Sequence, residues 1–148
     1  MPYLIDTGIW LRAFDSSDPS HGRILHCIDA LWQRKEPLFV TVQNLAEFWN
    51  VSTRPKANNG LGLSVSEVSP QLAMIESIAS VLWESDRSFA HWKQLVADHA
   101  VIGAKVHDAR RVAVMLAAGI PRVLTLNARD FQRFPGVAAV TPEALIAG

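Results

Sequence analysis

The chain has 148 residues, 49% of them hydrophobic, and its 14 Lys and Arg balance its 14 Asp and Glu. This length fits one domain over residues 1–148, and the apolar share and low net charge exclude a disordered chain. The single cysteine, Cys27, excludes internal disulfides and any multi-thiolate metal site.

Neither a membrane segment nor a secretion leader is expected. The longest uncharged apolar run, from Val112 to Ile120, has nine residues, less than half of the roughly 20 that cross a bilayer. No basic and then apolar stretch opens the chain, as a secretion signal would require. We therefore expect a cytoplasmic protein with no membrane partner.

The basic residues are unevenly distributed. A protein that coats nucleic acid nonspecifically usually carries a large basic excess, which this chain lacks. Residues 105–133, however, hold six basic residues against two acids. Two interpretations stay open for this stretch: an ordinary solvated helix face, or a basic rim that faces phosphate groups.

The first half of the chain predicts two strands and three helices. Apolar residues at helical spacing indicate the helices, and runs of β-favouring residues indicate the strands. In order, the pattern predicts a strand at 2–7, helices at 9–14 and 20–35, a strand at 38–42, a helix at 43–53 and a surface loop at 54–64. Asp6 therefore ends the first strand, and Pro37 stops the second helix.

The second half predicts three helices before the next strand. The pattern gives helices at 66–83, 87–100 and 106–118, a strand at 122–126, a turn at 127–134, a strand at 137–140 and a last helix opened by Pro142. Gly119 is placed to end the helix before it. Strands separated by helices need crossover connections, so we expect an α/β fold with a mostly parallel sheet and helices on both faces.

Four acids from separate elements fall near one edge of this sheet. Function in open parallel sheets gathers beyond the carboxyl ends of the strands. Asp6 ends strand one, Glu47 lies in the helix after strand two, Asp108 begins the helix that leads to strand three, and Asp130 follows strand three with Asn127. Taken singly, each acid is explained by a helix cap or a solvated face.

Carboxylates that converge need a counter-charge. Bare carboxylates a few ångströms apart repel, so either one takes a proton or a cation lies among them. Oxygen ligands without a cysteine or histidine cluster suit Mg²⁺ or Mn²⁺. Such an ion acidifies a bound water and orients a phosphate, which is the chemistry of phosphodiester hydrolysis.

Four short segments, in order along the chain, resemble the PIN-domain ribonucleases, and among them the VapC-like toxins of type II toxin–antitoxin pairs. They are Leu4-Ile5-Asp6-Thr7, Asn44-Leu45-Ala46-Glu47-Phe48, His107-Asp108-Ala109 and Thr125-Leu126-Asn127-Ala128-Arg129-Asp130-Phe131. The resemblance implies a three-layer α/β/α sandwich. It also implies that Asp6, Glu47 and Asp108 bind Mg²⁺ or Mn²⁺, and that a metal-activated water attacks RNA in line.

The fourth metal position stays open between Asn127 and Asp130. Relatives often carry an acid where this chain has Asn127, whereas others resemble this chain in having Asn there and Asp three residues later. The resemblance thus implies that Asp130 acts as a fourth catalytic acid, as a ligand through water, and that Asn127 holds substrate or water. Thr7 and Thr125 are expected to orient carboxylates through their hydroxyl groups.

The resemblance also implies partners: an RNA substrate, a second copy of the chain in a homodimer, and a small antitoxin whose peptide blocks the groove. Arg110, Arg111 and Arg129 are the candidate phosphate contacts. Trp10 and Trp32 are explained either by core packing or by a dimer or antitoxin interface.

Two other functions stay open. A PIN-like binding module without catalysis would keep the fold and lose the chemistry, and Asn127 leaves room for it. A nuclease acting on DNA is equally compatible, because the contacts that recognise a 2′-hydroxyl cannot be identified in the sequence. The nuclease hypothesis depends on Glu47 and Asp108 lying beside Asp6 in the folded chain.

Overall fold

Five short strands alternate with eight α-helices in the computed structural model, which describes all 148 residues. The strands are β1 (Tyr3–Ile5), β2 (Leu38–Thr41), β3 (Ser80–Leu82), β4 (Arg122–Leu124) and β5 (Ala138–Val140). The helices are α1 (Thr7–Ala13), α2 (His21–Gln33), α3 (Val42–Thr53), α4 (Val65–Ile78), α5 (Asp86–Asp98), α6 (Val106–Ala118), α7 (Arg129–Gln132) and α8 (Pro142–Ala147). None of the helices is long and apolar enough to span a bilayer.

The strands form one fully parallel sheet in the order β3-β2-β1-β4-β5. β1 is central, with Leu4 paired to Phe39 of β2 on one side and to Val123 of β4 on the other. The carboxyl ends of all five strands therefore meet at one edge. Asp6 lies at the middle of that edge, because it directly follows β1.

Alternate residues of the strands enter two separate cores, which makes the fold a three-layer α/β/α sandwich. Tyr3 and Ile5 pack with α1, α2, α3, α4 and α8 on one face, whereas Leu4 packs with α5, α6 and α7 on the other. A strand covered on both faces has no solvent-facing side, which explains why β1 is a continuous apolar run. The sandwich and its parallel sheet confirm the predicted fold class.

The sequence pattern missed one strand, β3. The helix predicted at 66–83 ends at Ile78, and Ser80–Leu82 then pairs with β2 at the edge of the sheet. These residues fit a helix or a strand equally well, so pairing with β2 decides their structure. The start of this helix also differs, because the side chain of Ser64, and not that of Ser66, accepts from Glu67 N and caps α4.

Two other local predictions have clear outcomes. Gly119 ends α6 in the left-handed region, with φ of 71°, which a residue without Cβ adopts at no steric cost. Trp10 is 1% exposed in the core and donates from Nε1 to the carbonyl of Ile5 at 3.2 Å. An interface role for Trp10 is therefore wrong, whereas Trp32 is 54% exposed and its interface role stays a prediction.

Candidate active site

Asp6 has both carboxylate oxygens hydrogen-bonded to residues from other elements. Thr125, which follows β4, donates from its hydroxyl to Oδ2 at 2.8 Å. Asn44, in the first turn of α3, donates from Nδ2 to Oδ1 at 3.2 Å. Because Asp6 is buried, these donors hold its carboxylate in one orientation at the carboxyl edge of the sheet.

Asn44 is placed by the way α3 begins. Its backbone N–H donates to Thr41 Oγ1 at 3.0 Å, and its side-chain Oδ1 accepts from Thr41 N at 3.1 Å. This is a capping box in which Asn takes the place usually held by Glu or Gln. The box fixes the amide so that its Nδ2 faces Asp6 and also donates to Thr7 Oγ1 at 3.0 Å.

Glu47 lies one turn further along α3 and points to the same place. Thr7 donates from its hydroxyl to Glu47 Oε2 at 3.1 Å. Gln43 donates from Nε2 to Glu47 Oε1 at 2.9 Å and to the backbone carbonyl of His107 at 3.2 Å. Gln43 thus connects α3 to the start of α6, where Asp108 lies.

Asp108 occupies the first turn of α6 and is buried. Burial raises the pKa of its carboxyl above the ordinary value, because the charged form loses its hydration. The positive charges of Arg111 and Lys105 oppose that rise, and the negative charge of Asp130 adds to it. The local environment is therefore one in which a carboxylate depends on nearby cations.

Arg111 brings the three acids together. Its Nη1 lies 3.0 and 3.1 Å from the two oxygens of Glu47, its Nη2 lies 2.5 Å from Asp108 Oδ1, and its Nε lies 3.9 Å from Asp6 Oδ1. The residue is 8% exposed. Carboxylates from the residue after β1, from α3 and from α6 therefore surround one guanidinium, although they are up to 102 positions apart in the sequence (6 to 108).

The fourth position lies beside this cluster. Asp130 Oδ1 is 3.3 Å from Lys105 Nζ, which is also 3.8 Å from Asp108 Oδ2. Asn127 is exposed, and its backbone N–H donates to Thr125 Oγ1 at 3.0 Å. Asp130 is thus linked to Asp108 through a lysine, whereas Asn127 helps to hold the hydroxyl that orients Asp6.

The three arginines predicted to contact phosphate have different environments. Arg110 forms an ion pair with Glu84 at the surface. Arg129 is exposed at the start of α7. Arg111 is buried, and its guanidinium is bound by carboxylates in this structure. Phosphate contact stays a prediction for all three.

A cavity of about 520 Å³ opens between α5 and α6, and none of the four candidate acids lines it. His107 and Arg110, which flank Asp108 in the sequence, line it, and so do Phe89 and Trp92. The rings of Phe89 and Trp92 stack with their centroids 6.2 Å apart, and Phe89 is 58% exposed. An exposed aromatic face that lines a cavity together with His107 and Arg110 is a surface on which a flat, partly polar group can stack.

The donor set suits a hard divalent cation. All candidate ligands are carboxylate oxygens, and Asp6, Glu47 and Asp108 already surround one positive group. With Arg111 at the centre, no group of three or more Asp, Glu, His or Cys side chains lies close enough to hold a metal ion. The residues thus fit Mg²⁺ or Mn²⁺ in their chemistry, provided that the guanidinium moves.

Sequence reasoning missed Asn44, Gln43 and Lys105, and it did not anticipate the position of Arg111. The pattern Thr-x-x-Asn directly after a strand signalled a cap at Thr41, which would have placed Asn44 beside the strand ends. The spacing of three between Asp108 and Arg111 signalled a pair on one helix face. Nothing in the sequence indicated that Gln43 would reach the carbonyl of His107.

The sequence profile of the PIN domain matches residues 3–137 of this chain. The chain belongs to the PIN domain family. No curated protein matches it. The segments that contain Asp6, Glu47 and Asp108 all lie inside the matched range. The resemblance that these segments indicated is thus the family that the profile identifies.

Solved structures with the same fold include VapBC proteins. A VapBC2 structure from Rickettsia felis, bound to a DNA fragment from its promoter, has a TM-score of 0.67 and 19% identity, over 95% of this chain and 98% of that one. VapBC-1 from nontypeable Haemophilus influenzae has a TM-score of 0.69 and 15% identity, over 97% and 99%. VapC20 of Mycobacterium tuberculosis, a toxin that cleaves the sarcin-ricin loop, has a TM-score of 0.57 and 22% identity, over 82% and 86%. These likenesses show the PIN fold.

Proposed function

We propose that this PIN domain protein is a metal-dependent endoribonuclease and the toxin of a type II toxin–antitoxin pair. The observation that carries the proposal is the convergence of Asp6, Glu47 and Asp108 on one cationic group at the carboxyl edge of the sheet. Three buried or half-buried carboxylates at one point cost the fold stability unless they bind a cation. Such a cluster is typical of a site that serves chemistry rather than folding.

The side chains have separable roles in this proposal. Asp6, Glu47 and Asp108 would hold the cation, and Asp130, which is paired with Lys105, would act as a fourth acid through water. Thr125 and Asn44 orient the carboxylate of Asp6. When bound, a divalent ion supplies Lewis-acid activation of water and neutralises charge on the phosphate.

Other surface side chains offer contacts to the substrate. Arg110 and Arg129 offer exposed guanidinium groups to backbone phosphates. The cavity with Phe89 and Trp92 offers an aromatic surface to an unpaired base next to the scissile phosphate. Single-stranded loops of RNA expose bases in this way, and the resemblance to PIN-domain ribonucleases favours RNA over DNA as the substrate.

The partners proposed are an antitoxin and a second copy of the chain. The likeness to VapBC proteins supports the antitoxin. A peptide laid over the carboxyl edge of the sheet would cover the acids and exclude RNA. Light scattering of the purified chain, alone and with the product of a neighbouring gene, would measure both the homodimer and the complex.

The decisive experiment is cleavage of defined RNAs, including tRNA, by purified protein in Mg²⁺, Mn²⁺ or chelator. We expect cleavage with either metal, none in chelator, and at least a hundredfold loss in Asp6→Asn and Asp108→Asn. Asp29→Asn, which removes the same charge from an exposed position of α2, should leave the rate unchanged. Growth arrest on expression should be relieved by Asp6→Asn and not by Asp29→Asn.

Other outcomes would contradict the proposal. Cleavage in chelator, or full activity in both active-site variants, would show that the acids are not the catalytic centre. Cleavage of DNA but not RNA of the same sequence would assign a DNA nuclease. Mn²⁺ binding that requires Asp6, together with no cleavage of any nucleic acid, would assign a binding module.

A further inference from the structure

Arg111 has an unusual environment for a side chain of a proposed phosphate-binding surface. Its guanidinium is buried and forms a two-point contact with Glu47 and a close contact with Asp108. The guanidinium also lies near the ring of Phe131, with Cζ of Arg111 5.9 Å from the ring centroid. Arg111 is therefore built into the site on its inner side rather than exposed on its rim.

The charges of the cluster require a cation at this place. Asp6, Glu47 and Asp108 bring up to three negative charges into a region with little water. A guanidinium keeps its positive charge in proteins, and its fork of N–H donors matches the geometry of carboxylates. Arg111 thus supplies the counter-charge that allows the carboxylates to lie together.

A divalent ion coordinated by oxygen atoms of all three acids would need the position that the Arg111 guanidinium occupies. Metal–oxygen distances of about 2.0–2.1 Å for Mg²⁺ bring its ligands to a common centre. At the centre of Asp6, Glu47 and Asp108 lies the guanidinium, within 3.9 Å of each carboxylate. An ion and a guanidinium, both positive, do not occupy one centre together.

We propose that Arg111 and a divalent metal ion are alternative occupants of the acid cluster, so that metal binding displaces the guanidinium. The proposal rests on the metal dependence given under the proposed function. Arg111 then weakens metal binding and stabilises the protein when no metal is bound. Its Nε has no hydrogen-bond partner, so displacement breaks hydrogen bonds at Nη1 and Nη2 only, together with the longer ion pair between Nε and Asp6.

The exchange of the guanidinium for a metal ion also gives Arg111 a second role. A guanidinium released from the carboxylates remains on α6 beside Asp108, at the edge where the phosphate is proposed to lie. There it is free to donate two parallel hydrogen bonds to phosphate oxygens. The buried position and the predicted phosphate contact are thus two states of one side chain.

Mn²⁺ binding tests the exchange without reference to activity. Calorimetric titration of wild type, Arg111→Met and Arg111→Lys would give the dissociation constants. We expect Arg111→Met to bind Mn²⁺ at least about tenfold more tightly, because the ion no longer competes with a charge-assisted contact. Arg110→Met, which removes the adjacent positive charge outside the acid cluster, should change the constant by less than about twofold.

Thermal unfolding supplies a second measurement. In chelator, Arg111→Met should melt below wild type, because its acids lose their counter-charge. In saturating Mn²⁺ the difference should shrink or reverse, since the ion replaces the lost charge. Arg110→Met should show the same difference from wild type in both conditions.

A titration of the wild-type protein makes the test independent of any variant. With ¹⁵N-labelled protein and diamagnetic Mg²⁺, the side-chain nitrogen resonances of Arg111 should shift as the metal binds, while those of Arg110 stay in place. The Arg111 shift should disappear in Asp6→Asn. This measurement decides the question even when Arg111→Met fails to fold.

Failure of the inference differs from failure of the proposed function. Equal or weaker Mn²⁺ binding by Arg111→Met, with an unmoved Arg111 resonance and metal-dependent RNA cleavage intact, would overturn the exchange and leave the nuclease in place. Absence of Mn²⁺ binding and of RNA cleavage by every variant would overturn both.

Discussion

Asn44 Nδ2 lies 3.2 Å from Asp6 Oδ1 and ties the first turn of α3 to the end of the central strand. Its Oδ1 accepts from both the backbone N–H and the hydroxyl of Thr41. One buried amide thus both caps a helix and orients a carboxylate. The two tasks cannot be separated, because the cap fixes the rotamer that reaches Asp6.

Replacing Asn44 with Ala should destabilise the protein by about 2–3 kcal/mol. The change removes a cap and deprives Asp6 Oδ1, Thr41 N and the hydroxyls of Thr7 and Thr41 of the hydrogen bonds made by the Asn44 side chain in the interior. Urea unfolding followed by circular dichroism would measure the loss as a lower midpoint. Asn50→Ala, at an exposed position of the same helix, serves as the control. An equal midpoint in Asn44→Ala and wild type would contradict the proposed network.

Asp130 should matter less for catalysis than Asp6. It reaches the cluster through Lys105, at 3.3 Å, and does not contact Arg111. We expect Asp130→Asn to reduce metal-dependent RNA cleavage by about tenfold, against at least a hundredfold for Asp6→Asn, because its contribution is indirect. Single-turnover cleavage rates would measure both. Equal losses in the two variants would make Asp130 a direct ligand.

Phe89→Ala should weaken substrate binding more than the chemical step. The exposed ring stacks on Trp92 and lines the cavity between α5 and α6 together with His107 and Arg110. Loss of a stacking surface costs about 1–3 kcal/mol of RNA affinity, or roughly 5- to 150-fold in KM. Steady-state kinetics would separate KM from kcat. Val65→Ala, an exposed apolar position on α4, is the matched control, and an unchanged KM in Phe89→Ala would remove the cavity from the substrate path.

Cys27 should resist alkylation until the protein unfolds. Burial raises the pKa of its thiol, so the reactive thiolate forms at higher pH than in a free cysteine. Its Sγ also lies 3.6 Å from the carbonyl of Pro142, under helix α8. At pH 8.5 the labelling rate with iodoacetamide should be far below that of the unfolded chain and should rise with urea across the unfolding transition. Fast labelling of the native protein would show that α8 opens readily.

The fold could be predicted largely from local signals, but one strand could not. Alternation of apolar runs with helical periods fixes the parallel sheet, and Gly119 and Pro142 mark helix ends by their backbone preferences. β3 has three residues and no pattern of its own, and it becomes a strand only because β2 offers an unpaired edge. A short stretch of sequence contains no information about whether a neighbouring strand has an edge free for pairing.

The candidate site likewise has a part that the sequence could predict and a part that it could not. The acids were predictable because strand ends in a parallel sheet meet at one edge, a consequence of topology alone. The burial of Arg111 among the acids could not be predicted, because its environment depends on how α6 is rotated against α3. The link from Gln43 to the carbonyl of His107 depends on the same packing.

The hydrogen bond between Thr125 and Asp6 spans 119 positions of the chain. Thr125 directly follows β4, so Asp6 cannot receive this hydrogen bond until β4 lies beside β1. Pairing of strands so distant in the chain closes a long loop, which is entropically costly and slow. A partly folded chain therefore lacks the assembled carboxylate cluster, and any chemistry of the cluster depends on completion of the central sheet.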